Sequence, residues 1–284
     1  MAIPFPLGQV ALDDLVRSAL VEDRAFNDVT TLATVAADSW SRARLVARQG
    51  GVTCGAVLAT SAFRALDGGV VVQLRAPDGS RVVRGETVLE ISGPSRALLS
   101  AERVALNFMQ RLSGVATLTS RFVDLVRGSG AQVLDTRKTM PGWRLLEKYA
   151  VRCGGGTNHR MDLESAVLIK DNHLAAVGGD VAVAVRRARE LAAPGVVIEV
   201  ECDRIEQVEE AVEAGATMIL LDNMSIASLV ACVKLVAGRA RLEASGGVTL
   251  ETIGPIAATG VDYISVGAIT HSAPAMDLAL DFDT

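Results

Sequence analysis

The sequence predicts an α/β protein in two parts: an N-terminal helix-flanked open sheet, sandwich-like and largely antiparallel, then an incomplete α/β barrel of about six to seven strands. Three observations carry this expectation. Valine-rich runs broken by glycine pairs fill residues 42–92, the texture of short strands joined by turns. A long helical pattern follows, SRALLSAERVALNFMQRLSGVATLTSRFVDLVRG. Beyond it, short apolar runs alternate with amphipathic stretches, which implies parallel βαβ units. A full eight-unit barrel takes about 250 residues, and only residues 130–270 are at hand for it.

Taken in order, leucine and valine recur at helical spacing from Pro6 to about Leu20, giving a first helix. Asp28-Val29-Thr30-Thr31 then supplies capping and strand-forming residues and breaks the pattern. Residues 42–49, 52–58, 70–75, 81–83 and 87–92 are strand candidates, separated by Gly50-Gly51, Gly68-Gly69, Asp78-Gly79 and Gly85. The long helical pattern is expected to break near Ser113-Gly114. The domain change is placed there: residues 1–112 form the first domain and 113–271 the barrel, with the tail 272–284 packing back on the first. In the barrel, VLDT, AVLIK, VVIEVE, MILLD, RLEAS and YISVG are strands. DVAVAVRRARELA, RIEQVEEAVEAG and SIASLVACVKLVAG keep apolar residues at i, i+3 and i+4 and are helices. Pro255 argues that the last of the barrel helices starts near Gly254 rather than at Thr249.

Half of the residues are apolar and 21% charged, with a net charge of −5 and 4% aromatics. This balance, without a basic stripe, argues against a nucleic-acid partner. Cys54, Cys153, Cys202 and Cys232 lie far apart with no Cys-x-x-Cys pair, so buried free thiols are expected rather than zinc or disulfides. No apolar run approaches the roughly 18–20 residues that cross a bilayer. The first residues do not read as a signal or transit peptide, and a cytoplasmic location is expected.

Against that acidic background, residues 137–160 hold six basic residues and one acidic residue, Glu147. The positive charge is local, which implies a local, multiply anionic ligand. Working residues of α/β barrels sit at the carboxyl ends of strands, and polar residues fall at those ends here. Asp135, Thr136, Arg137 and Lys138 end or follow the first barrel strand, Lys170 closes the second, Glu201 the third and Asp222 the fourth. Ser245-Gly246-Gly247 follows the fifth and Gly267 the sixth. Arginine forks match carboxylate or phosphate while lysine acts as a point charge, so Arg137, Lys138, Arg160 and Lys170, with His159 beside Arg160, suit a ligand with several anionic groups. The Ser-Gly-Gly turn suits a phosphate if a helix starts after it. Glu201 and Asp222 have two open readings: ion pairs to nearby lysines, or a Mg²⁺ site, since magnesium takes oxygen ligands alongside substrate phosphates.

These residues resemble one family over nearly the whole chain, the quinolinate phosphoribosyltransferases. The resemblance rests on Glu22-Asp23, Asp28-Val29-Thr30-Thr31, Ala101-Glu102-Arg103 through Asn107, the run DTRKT-PG-R-LEKYAV-GGG-NHR-LIKDNH, and then EVE, LLDN, EASGG and GVDYISVGAITHS. It implies phosphoribosyl transfer from 5-phosphoribosyl 1-pyrophosphate to quinolinate with decarboxylation, giving nicotinate mononucleotide, pyrophosphate and CO2, with Mg²⁺ as cofactor. It further implies that Arg103, Arg137, His159, Arg160 and Lys170 face the quinolinate carboxylates, with Thr136 also binding substrate. Lys138, Lys170, Glu201 and Asp222 are implied as the catalytic set around ribose, pyrophosphate and magnesium, and Ser245, Gly246, Gly247, Gly267 and His271 as holders of the 5-phosphate. A homodimer is implied, with Arg103 reaching the neighbouring subunit's site. Met140 and Trp143 depart from the common pattern on the pocket wall. The alternatives are a paralogue of the molybdenum-operon type and a non-catalytic anion-sensing barrel.

Overall fold

In the computed structural model, which describes residues 3–283, Gln9–Glu22 forms helix α1. Its Leu12, Val16 and Leu20 recur every four residues and are all buried. Asp28-Val29-Thr30-Thr31 does more than break the helical pattern. Asp28 accepts hydrogen bonds from the Thr31 N–H (3.1 Å) and Thr31 Oγ1 (2.5 Å), so the Asp-Val-Thr-Thr run caps a helix, α2 (Val29–Thr34). Strands β1 (Trp40–Ala47) and β2 (Gly51–Val52) follow. The strand expected over 52–58 is largely absent, because Ala56–Leu66 is helix α3. The Asp78 carboxylate accepts from the N–H groups of Gly55 and Ala56, 3.0 Å each, and satisfies donors that a helix start leaves open. Leu58, Ala59, Ala62 and Phe63 form its buried stripe. Strands β3 (Val71–Leu74), β4 (Arg81–Val82) and β5 (Thr87–Pro94) complete this stretch.

Helix α4 then runs unbroken over Ser95–Val126, contrary to the expected break at Ser113-Gly114. Both residues serve packing instead. Ser113 Oγ accepts the Cys54 N–H at 2.9 Å, and a Cβ built on Gly114 would lie 2.0 Å from the Pro274 carbonyl oxygen. Gly114→Ala is therefore expected to lower stability: helix propensity favours alanine by about 1 kcal/mol, but overpacking against rigid backbone costs about 1–3 kcal/mol or more. Urea unfolding checks this, and a more stable variant would refute the close contact.

Strand β6 (Gln132–Leu134) opens the second part, followed by α5 (Arg144–Cys153), β7 (Val167–Ile169), α6 (Asp171–Ala176) and α7 (Val181–Leu191). The remainder is β8 (Ile198–Cys202), α8 (Ile205–Glu213), β9 (Met218–Asp222), α9 (Ile226–Val236), β10 (Arg241–Ser245), α10 (Ile253–Ala257), β11 (Tyr263–Ser265), α11 (Ala268–His271) and β12 (Leu278–Phe282). All six expected barrel strands form, and Asp180 and Ser225 cap α7 and α9 through their side chains. Pro255 sits just inside α10, where its missing N–H costs little.

The six-stranded sheet has the order β6-β11-β10-β9-β8-β7 and every pairing is parallel. Its last strand in sequence, β11, pairs with its first, β6, so the sheet curls back on itself as a barrel does. The circle is incomplete between β6 and β7, where Leu134 forms only a single parallel bridge with Thr157. Val133, Val200, Ile219, Leu221, Leu242 and Ile264 are buried in these strands.

The chain divides into two units. One comprises the described residues through Ser120 with Pro141–Gly155 and the segment from Ser272; the other comprises Arg121–Met140 and Gly156–His271. In the first, the sheet order is β12-β1-β5-β3, all antiparallel, and β2 pairs with β4. Helix α5 belongs to this unit, so Arg144, Lys148 and Arg152 leave the basic cluster counted in sequence; Lys148 is fully buried. Met1, Ala2 and Thr284, at the ends of the expected domains, lie outside the described residues. All four cysteines are free and buried, and among the described residues no helix is long and apolar enough to cross a membrane.

Candidate active site

The carboxyl ends of the parallel strands surround a cavity of about 880 Å³ that lies wholly within the second unit. Such a volume suits a small-molecule site. Thr136, Arg137 and Lys138 enter it after β6, and His159 and Arg160 from the segment beyond the Thr157 bridge. Lys170 comes from the end of β7, Glu201 from β8 and Asp222 from β9. Ser245, Gly246 and Gly247 line it after β10, and Gly267 and His271 after β11. Arg103 is not on the cavity wall; it is exposed on α4 in the first unit.

Several positions are built for close approach. Gly246 has φ +100°, and a Cβ there would lie 2.1 Å from Asn223 Oδ1, so only glycine lets the turn after β10 pass the end of β9. Gly267 would bring a Cβ within 3.2 Å of both His271 Nε2 and Lys138 Cδ. The helix after this turn, α10, begins at Ile253, close to the start near Gly254 that Pro255 predicts.

The charges are arranged in two tiers. At the mouth, Lys170 Nζ donates to Glu201 Oε2 at 2.5 Å, and Asp222 Oδ2 accepts from Asn223 Nδ2 at 2.7 Å. The ion-pair reading of Glu201 thus holds for Lys170, a half-exposed partner. On the wall, the Nε of Arg137 is buried and has no hydrogen-bond partner. Burial, and then the neighbouring Arg137, lower the pKa of Arg160 from its usual value. Two neighbouring guanidinium groups, one with an orphaned donor, have the chemistry to pair with an anion.

Deeper in, His159 meets two acids that the sequence reading passed over. Its Nε2 is 3.2 Å from Glu199 Oε2 and 3.3 Å from Glu243 Oε2, and both glutamates are buried. Burial alone lowers the imidazole pKa, but Glu199 and Glu243 outweigh it and carry it to about 10. Burial pushes Glu199 up to about 7, with Glu243 adding to the rise and His159 opposing it. The Arg160 N–H donates to His159 Nδ1 at 2.6 Å, which keeps a lone pair there and opposes a second ring proton. His159 and Glu199 therefore hold their protons jointly rather than as independent sites. Asp135 fixes the segment below, accepting from the His159 N–H (2.9 Å) and from Asn158 Nδ2 (2.6 Å). One signal of Glu199 was available: it stands two residues before Glu201 on β8, and that spacing puts both on one face of a strand.

Residues 28–113 match the family described as quinolinate phosphoribosyl transferase, N-terminal domain, and residues 115–281 match its C-terminal domain. A probable nicotinate-nucleotide pyrophosphorylase [carboxylating] of Bacillus subtilis is 42% identical over 97% of this chain and 94% of its own length. A nicotinate-nucleotide pyrophosphorylase [carboxylating] of Mycobacterium leprae is 43% identical over 95% of this chain and 97% of its own. Among solved structures, the nicotinate-nucleotide pyrophosphorylase of Francisella tularensis superposes with a TM-score of 0.92 at 38% identity, covering 100% of this chain and 99% of that one. With matches that span both units and a cavity that gathers the cationic strand ends, the chain belongs to the quinolinate phosphoribosyl transferase family.

Proposed function

We propose that this protein transfers the phosphoribosyl group of 5-phosphoribosyl 1-pyrophosphate to the ring nitrogen of quinolinate, with decarboxylation, yielding nicotinate mononucleotide, pyrophosphate and CO2. The observation that carries this reading is the convergence of Arg137, Lys138, Arg160 and Lys170 with Glu201 and Asp222 in one cavity. Both reactants are polyanions and repel each other. Fixed cations offset that repulsion and hold the reactants within bonding distance, which is where most of the rate enhancement of a two-substrate reaction can come from.

In this reading Arg137, Arg160, His159 and Lys170 face the two carboxylates, and Thr136 contributes to substrate binding. Ser245, Gly246, Gly247, Gly267 and His271 hold the 5-phosphate, while Lys138 and Lys170 flank ribose and pyrophosphate. As pyrophosphate leaves, positive charge grows on the ribose, and the carboxylates of Glu201 and Asp222 stabilise it. No side chain need act as nucleophile. Once the ring nitrogen is quaternised, the bond from the ring to the adjacent carboxylate breaks with its electron pair left on the ring carbon beside the cationic nitrogen; CO2 departs and that carbon takes a proton from water.

The donor set fits magnesium. Glu201 and Asp222 offer hard oxygen ligands from neighbouring strands, and two protein carboxylates suit an ion that keeps waters and substrate oxygens in its remaining positions. When bound, magnesium would neutralise charge on the departing pyrophosphate. Arg103 acts in this reading from the partner of a homodimer, which its exposure on α4 supports.

The test is to incubate the purified protein with quinolinate, 5-phosphoribosyl 1-pyrophosphate and Mg²⁺, and in parallel with nicotinate in place of quinolinate. Nicotinate mononucleotide and CO2 are expected from quinolinate and little product from nicotinate. Tight substrate binding without turnover would instead mark an anion sensor. Chelation by EDTA is expected to abolish turnover and excess Mg²⁺ to restore it; full activity in EDTA would remove the metal from this scheme.

A further inference from the structure

Two carboxylates buried side by side in a barrel interior are costly, and neither is fully satisfied. Glu199 Oε1 and Glu243 Oε1 are shielded from solvent and lack hydrogen-bond partners. Fully apolar side chains at these inward-facing positions would commonly serve stability as well or better. What the two acids share is His159, whose Nε2 faces both, at 3.2 and 3.3 Å. The ring itself lies on the cavity wall, with a side chain only 11% exposed. Its other nitrogen is held by the Arg160 N–H at 2.6 Å, and its main chain by Asp135. The imidazole is thus fixed at both nitrogens.

The compact grouping of His159, Glu199 and Glu243 also has the composition of a metal site. The tautomer argues otherwise. With the Nδ1 lone pair occupied by the Arg160 N–H, the ring proton belongs on Nε2, which then points N–H, not a lone pair, at the carboxylates.

We propose that Glu199 and Glu243 are positioning residues for quinolinate: they lock the His159 ring, whose Nδ1 in turn holds the Arg160 main chain, and so fix the stretch of cavity wall that meets the substrate's acid group. This rests on the function proposed above and names two residues that act through a third. Glu199 supplies the hydrogen-bond acceptor. Glu243, at a similar distance but with no hydrogen bond made by either oxygen, supplies electrostatic restraint from β10, on the far side of β9 from Glu199.

The experiment is steady-state kinetics on Glu199→Met, Glu199→Gln and His159→Asn, alone and as the double variant His159→Asn/Glu199→Met, with each variant's fold checked by circular dichroism. Glu199→Met is expected to raise KM for quinolinate about ten-fold or more, with kcat and KM for 5-phosphoribosyl 1-pyrophosphate changed by less than about three-fold. Glutamine keeps an acceptor oxygen and is expected to recover most of the loss. In the His159→Asn background the Glu199 substitution should add nothing, because the group it positions has gone. An unchanged KM in Glu199→Met, or independent effects in the double variant, overturns the proposal while an active wild type leaves the functional reading intact. Should Glu199→Met not fold, Glu243→Gln with and without His159→Asn gives the same comparison. An inactive wild type, by contrast, defeats the functional reading itself.

Discussion

Arg137→Ala is expected to lower kcat/KM for quinolinate by about 2–5 kcal/mol of transition-state binding, roughly 30- to 5,000-fold. The size follows from the site. Arg137 lines the cavity with its Nε buried and unpartnered, close enough to Arg160 to add to the lowering of that residue's pKa by burial. A dianionic ligand supplies the missing partner for that Nε and offsets the charge of both guanidinium groups, so the arginine contributes most when substrate is bound. Lysine in its place should recover only a small part, because a point charge cannot reproduce a planar fork. Initial-rate kinetics over a range of quinolinate concentrations decides the matter. A variant within about two-fold of wild type would place Arg137 outside the binding set.

The second large effect concerns two variants that should each be nearly inactive yet recover activity together. Arg103 sits in a different unit from the cavity and is exposed, whereas Lys170 lies within the cavity beside Glu201. If a homodimer shares its sites, a mixed dimer of Arg103→Ala and Lys170→Ala subunits has one site with both residues intact and one with neither. After unfolding and refolding of an equal mixture, about a quarter of wild-type activity is expected. No recovery from mixtures in which exchange has been demonstrated by mass would mean that Arg103 serves its own chain or none.

What could be read in the sequence, and what could not, divides on physical lines. The barrel strands were legible because each is a short, largely buried apolar run bounded by turn residues, and all six form. The strand-end residues followed from the architecture alone, since side chains at the carboxyl ends of a curled parallel sheet have one cavity to share. The helix α3 was hidden because its start depends on Asp78, more than twenty residues away, whose carboxylate caps it. Ser113-Gly114 looked like a break because the contacts that hold it in helix come from Cys54 and Pro274, remote in sequence. The basic density around residue 150 overstated the site for a similar reason: α5 carries Arg144, Lys148 and Arg152 into the other unit. Glu199 and Glu243 were missed because an acid within a buried strand reads as a local oddity until the fold supplies its partner, His159.

The measurement that bears most directly on the central claim is a crystal structure with quinolinate, Mg²⁺ and a non-reactive analogue of 5-phosphoribosyl 1-pyrophosphate bound. Both ligands should lie together in the cavity ringed by β6–β11, the dicarboxylate against Arg137 and Arg160 and the 5-phosphate against the Ser245–Gly247 turn. Finding the two ligands apart, or either one held on another face with the four cations unengaged, would contradict the idea that fixed positive charge brings two repelling anions into reaction here.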